Sequence, residues 1–97
     1  MSQFEWDARK SRANLRKHHI DFEAAKRIFD GPRLEKIDER RNYGERRIIA
    51  VGAVDDVVIV VVYTERREAR RLISARKANG KERIAYHQTL AQGRDTG

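Results

Sequence analysis

The chain has 97 residues, 39% hydrophobic and 38% charged, and no cysteine, so it forms one small domain without disulfide staples or thiolate metal sites. Its 22 Lys and Arg against 15 Asp and Glu leave a net charge of +7, which points to a polyanionic partner, either nucleic acid or an acidic protein. No apolar run approaches the roughly 20 residues of a membrane span, and the opening MSQFEWDARK carries acidic groups and no apolar stretch of the signal-peptide kind; a cytoplasmic chain with no membrane partner is expected.

Phe4-Glu5-Trp6 alternates apolar and acidic side chains and reads as an extended entry able to add an edge strand. Asp7 suits an N-cap, and residues 8–18 form a helix rich in Ala, Arg, Lys and Leu that stops at His18-His19. Asp21 caps a second helix, on which Phe22, Ala25 and Phe29 make one apolar stripe with Ile28 beside it. Asp30-Gly31-Pro32 ends that helix, Gly31 being suited to a left-handed cap.

Strands follow. Residues 34–38 read as a charged edge strand, and 46–54 and 57–64 as a hairpin turning at Asp55-Asp56. The run VVIVVVY shows no polar alternation, so it is expected at the sheet centre with both faces covered. A charged turn over 66–70 leads to a fourth strand over 71–77. Asn79 and Glu82 stand at capping-box spacing and start a last helix carrying Ile84, Tyr86 and Leu90, which frays into a polar tail over 92–97. The expected fold is α+β: an antiparallel sheet packed with two N-terminal helices and one C-terminal helix, in a single domain over 1–91.

Within this frame the segment FEWD at 4–7, NLRKHHIDFEAA at 14–25, GERR at 44–47, VVYTER at 61–66, ISARKA at 73–78 and the ER at 82–83 followed by Tyr86 stand in an order and spacing that resembles the BrnT family of bacterial type II toxins. The resemblance implies a RelE-like fold and ribonuclease activity against RNA without a metal or other cofactor. It also implies a BrnA-type antitoxin encoded beside the toxin, a two-to-two heteromeric complex, and contact with operator DNA only through the antitoxin. One departure is His19, where the family has a Gly; a non-Gly residue at a left-handed cap costs roughly 1 kcal/mol, so a reshaped turn is expected.

RNA carries its own nucleophile, the ribose 2′-OH. A metal-free ribonuclease needs a base for that proton, cations for the crowded phosphate, and an acid for the leaving oxygen. Arg66 and Arg76, at the ends of two adjacent strands, are the first candidates for the scissile phosphate, and Arg46 is the third. Glu65 is the carboxylate of this rim, suited either to act as base or to hold one of the same arginines in a salt bridge. Lys77, Arg71, Tyr86 and His18 are candidate RNA contacts, although Tyr86 also suits packing, and His18 and His19 suit the negative end of a helix. His87 reads as a solvated side chain and Trp6 as core. Simple alternation puts Arg70, Leu72, Ser74 and Arg76 on one strand face and Arg71, Ile73, Ala75 and Lys77 on the other; the second face is expected against the helices, with Leu72 arguing the other way. The three histidines lack metal-ligand spacing, and there is no Gly-rich phosphate loop. Two other readings remain at this level: a non-catalytic basic binding module, and a degenerate toxin acting as a co-repressor subunit beside a DNA-binding antitoxin.

Overall fold

A computed structural model describes residues 3–96. The elements are β1 (Gln3–Glu5), α1 (Ala8–His18), α2 (Phe22–Ala25) running into a 3-10 stretch (Lys26–Asp30), β2 (Leu34–Ile37), β3 (Arg47–Val54), β4 (Val57–Arg66), β5 (Ala69–Lys77) and α3 (Gly80–Thr96). The five strands lie in the order β1-β5-β4-β3-β2, with β4 in the middle as its unbroken apolar run requires. The expectation of an antiparallel sheet needs one correction. Residues Gln3–Glu5 run parallel to Ala69–Arg71, so the sheet is mixed: α1, α2 and three further strands separate β1 from β5, and the chain has no need to return by a hairpin.

Local chemistry sets the helix boundaries. The Asp7 carboxylate accepts from the amides of Arg9 (2.8 Å) and Lys10 (3.3 Å), and Asp21 accepts from Ala24 (2.8 Å). At its other end α1 closes on His19, which itself adopts φ 62 and ψ 25 while its amide donates to the Leu15 carbonyl at 2.9 Å. The turn is therefore not reshaped by the missing glycine; His19 takes the left-handed conformation and its strain. His19→Gly is expected to stabilise the domain by about 1 kcal/mol, raising the melting temperature by roughly 4–8 °C in a thermal scan. At the next helix end Gly31 is extended, φ −134 and ψ −173, not the left-handed cap its sequence position suggested.

After Ala25 the helix tightens to the 3-10 form, whose three-residue repeat carries the buried stripe through Phe22, Ala25 and Ile28 and leaves Phe29 half-buried. Phe22, Ala25 and Ile28 pack with Ile20, Ile48, Ala50, Ile59, Val61, Tyr63, Leu72 and Ala75 in the main core, between the sheet and α1–α2. Gly52 makes this approach possible, since a Cβ there would lie 2.7 Å from Ile28 Cβ. The opposite sheet face is only partly covered: Val58, Val60, Ala78 and Tyr86 form a second cluster under α3. That helix starts on the expected capping box, with Glu82 N donating to Asn79 Oδ1 and Asn79 N to Glu82 Oε1, both at 2.8 Å. It runs to Thr96, so the tail expected to fray from Gln92 is helical almost throughout, and Gly97 lies outside the described residues.

Two devices complete β5. Ile73 is an extra residue, for Val62 pairs with Ser74 while Tyr63 pairs with Leu72. The bulge puts both Leu72 and Ala75 into the main core. Beyond Arg71 the outer edge of β5 has no neighbouring strand among the described residues. There the Asn14 side chain of α1 takes over, its amide donating to the carbonyls of Ala75 and Ile20 at 2.7 Å each and accepting from the Ala75 amide at 3.2 Å. Buried Ser11 accepts from the Phe22 amide one turn earlier.

Candidate functional site

The uncovered half of the sheet face under α3 is basic because cross-strand pairing stacks its cations side by side. Arg47, Thr64 and Arg71 are consecutive partners across β3, β4 and β5, and Arg76 partners Val60 further along the same face. The bulge makes this possible: Arg71, Ser74 and Arg76 all point away from α1, whereas unbroken alternation had placed Arg71 on the packed face. Each arginine has an acidic neighbour. Arg71 lies 3.8 Å from Glu5 on β1, and Arg76 donates both terminal nitrogens to Glu82 at 2.9 Å.

Loop 38–46 frames one end of this face. Asp38 is buried and accepts from Arg40 Nε and Nη2 at 2.8 Å and from the Tyr43 hydroxyl at 3.0 Å, bonds that hold its carboxyl far below the usual carboxylate range. The knot fixes Tyr43, and Arg47 stacks on that ring at 4.1 Å. Beside it, Glu45 bridges two cations, lying 3.4 Å from Arg47 and 3.5 Å from Arg66. A depression of about 390 Å³ opens here, lined by Glu45, Arg46, Ile48, Thr64, Glu65 and Arg66. The Thr64 hydroxyl donates to the Arg46 carbonyl at 2.7 Å, tying the start of β3 to the end of β4.

Arg46, Glu65 and Arg66 thus line one strand-end depression, Glu65 directed to the core face with Tyr63 and Arg66 to the basic face with Thr64, and Arg76 is separate from them. Strands β4 and β5 are antiparallel, so their C-terminal ends lie at opposite edges of the sheet: Arg76 sits beside Val60, six residues before Arg66 and roughly 20 Å away. Glu65, whose partner is Arg70, forms no ion pair among the described residues; the salt-bridge role suggested for it belongs to Glu45. Lys77 faces the opposite side of the sheet, in a groove with Leu15 and His19, and His18 is half-buried at the end of α1. Tyr86 cannot serve as a stacking platform, because it is 3% exposed and its hydroxyl donates to the Pro32 carbonyl at 3.0 Å. Trp6 packs edge-on against Phe22, as a core residue does. Among the described residues no cluster of three His, Asp or Glu side chains has metal-site geometry.

At the far end, the two bonds from Arg76, helped by the Asn79 amide and opposed by partial burial, push the Glu82 carboxyl down from an ordinary 4.5 to about 2. A depressed carboxyl contributes stability in full above its unfolded value and loses it as pH falls through the folded one. The stability difference between the native chain and Glu82→Gln is therefore expected to be largest near neutral pH. It should shrink between pH 4.5 and 2, as read from denaturant unfolding at each pH. A difference that grows on acidification would contradict this pairing.

Sequence reasoning missed Glu45, Arg47 and the Asp38–Arg40–Tyr43 knot. The available signals were the density of charge over 38–47 and the GERR motif at 44–47, and neither gives partner assignments. The family model described as the ribonuclease toxin BrnT of type II toxin–antitoxin systems matches residues 6–82, ending at the Glu82 that caps α3. No curated protein matches the chain. Among solved structures, the crystal structure of the Brucella abortus ribonuclease toxin BrnT is similar over 81% of this chain and 99% of its own length, with 24% identity and a TM-score of 0.63, a likeness of fold. With most of its length matched by that family model, the chain belongs to the BrnT family of type II ribonuclease toxins.

Proposed function

We propose that the chain cleaves RNA by metal-independent attack of a ribose 2′-OH, stopping translation until an antitoxin neutralises it. The observation that carries this reading is the strand-end depression, which wraps the end of β4: Arg66 reaches it from the basic face, and Arg46 and Glu65, a carboxylate without an ion-pair partner among the described residues, from the core side. Two guanidiniums stabilise charge building up on a scissile phosphate seated at the strand end, and the exposed Glu65 carboxylate accepts the 2′ proton. From Arg66 the basic face continues through Arg47 and Arg71 towards Arg76. A bound strand lying along it would place successive phosphates on separate arginines. Arg76 and Arg66 then serve different phosphates, a change from the shared one expected of strand ends. Partial neutralisation by Glu5, Glu45 and Glu82 keeps the arginines extended and oriented before substrate arrives.

Incubation of the purified chain with long single-stranded RNA in EDTA tests the reading. Fragments ending in 2′,3′-cyclic phosphate are expected. Intact RNA from a folded chain would overturn it in favour of a binding module. A degenerate toxin acting only as co-repressor would have its clearest sign in a turn disrupted by the departure at His19, and His19 keeps a left-handed turn there, so no specific observation favours that alternative.

A further inference from the structure

Among the described residues four large hydrophobic side chains stand exposed, and two of them, Leu15 at 46% and Val57 at 44%, line one groove. It has a volume of about 300 Å³ and lies between the last turn of α1, the start of α2 and the β3–β4 hairpin, with Ile20, Ala24, Val54 and Ile59 completing an aliphatic floor. Apolar surface gathered in a concavity, and not scattered singly, marks a place where something docks.

Charge identifies the occupant. Helix α1 reads ARKSRANLRKH, with five Arg and Lys and no acidic residue, and none of the five forms an ion pair among the described residues. Arg12 and Arg16 flank Leu15 on the solvent side of the helix, three residues before it and one after. Lys77 adds a further cation to the groove lining. Of the acidic groups nearby, Asp55 is engaged by Arg27 at 3.0 and 3.1 Å, Asp21 caps α2 and Glu23 pairs with Lys26, which leaves Asp56 of the hairpin turn set against the five cations of α1 and Lys77. An RNA strand fits poorly, since the floor is aliphatic and the lining offers a single ring, His19 at its rim, where a bound strand stacks successive bases. A second copy fits poorly too, because it would set a chain of net charge +7 against a basic wall.

We infer that this groove docks an acidic amphipathic helix of the antitoxin, whose apolar stripe fills the Leu15–Val57 floor while its carboxylates meet Arg12 and Arg16. This rests on the toxin reading above. It has a further content: Val57 and Arg66 lie nine residues apart on β4, roughly 30 Å, the length of a helix of about 20 residues, so a docked helix of about three or four turns does not itself cover the strand-end depression. Docking and inhibition are separate events, the second requiring another part of the antitoxin.

The test titrates the purified antitoxin, produced from the reading frame beside the toxin's own, into the native chain, Leu15→Glu, Val57→Glu and the pair Arg12→Glu with Arg16→Glu. All four positions are exposed, and thermal scans verify that each variant is folded. Leu15→Glu and Val57→Glu are each expected to weaken the antitoxin at least tenfold. The paired charge reversal should slow association and flatten its salt dependence, and RNA cleavage in EDTA should be unchanged throughout. Native affinity in both groove variants overturns the proposal. So does a loss of RNA binding with antitoxin affinity intact, or a native dimer that Leu15→Glu dissolves with antitoxin affinity intact. Absence of cleavage by the native chain counts against the ribonuclease mechanism, while the titration still decides the docking site.

Discussion

Arg66→Ala is expected to lower kcat/KM for RNA cleavage by about 100-fold or more, the loss of about 3 kcal/mol that follows removal of a fixed donor from a developing anion. Its side chain is 53% exposed and pairs with the Glu45 carboxylate at the rim of the depression, so the fold should be unaffected. The contrast with Arg76→Ala is the informative part. Because Arg76 lies at the α3 end of the face, its loss should raise KM and leave kcat nearly intact. That variant also frees Glu82, whose charge repels a phosphate there, so Arg76→Ala combined with Glu82→Gln separates a lost cation from an exposed anion. Single-turnover cleavage of a defined RNA gives both constants. A collapse of kcat in Arg76→Ala with Arg66→Ala nearly native would move the scissile phosphate to the α3 end and leave the depression as a binding feature.

The largest effect on stability is expected at Asn14. Its truncation to Ala removes three hydrogen bonds and leaves the amide and carbonyl of Ala75 and the carbonyl of Ile20 unpaired in a buried site. Destabilisation of about 3 kcal/mol follows, a fall in melting temperature of roughly 15 °C for a domain of this size. Asn14→Asp should be nearly as damaging, since a carboxylate cannot donate to either carbonyl. Chemical denaturation followed by tryptophan fluorescence reads both, Trp6 being packed against the core at Phe22. Near-native stability in Asn14→Ala would show that water replaces the side chain along the β5 edge.

Residue patterns carried the elements because each depends on neighbours in sequence. Asp7, Asp21 and the Asn79–Glu82 box cap within three residues, and Asp55-Asp56 turns a hairpin whose two runs are adjacent. What stayed hidden depends on contacts between distant segments. Parallel pairing of β1 follows from where β5 ends up, and no local signal encodes it. The faces of β5 could not be read because an inserted residue leaves the composition unchanged while reversing the alternation beyond it; Leu72, the residue at odds with simple alternation, was the trace of the bulge. The candidate site was half legible for the same reason. Arg46, Glu65 and Arg66 come to one strand-end depression through a hairpin that the sequence announces. Arg76 was grouped with them by its place at a strand end, and antiparallel direction takes it to the other edge.

Strand β5 spends nine residues, Ala69–Lys77, on eight pairings with β4, so it carries one residue in reserve. Losing a single residue anywhere over 72–74 would close the bulge and return a regular ladder, with Arg71 still opposite Thr64 and Arg76 still opposite Val60. Gaining one has no such outlet, because a second unpaired residue would have to displace either the core positions of Leu72 and Ala75 or the arginines behind them. Length variation at this strand is therefore asymmetric: shortening by one preserves both its buried and its charged side, and lengthening by one sacrifices one of them.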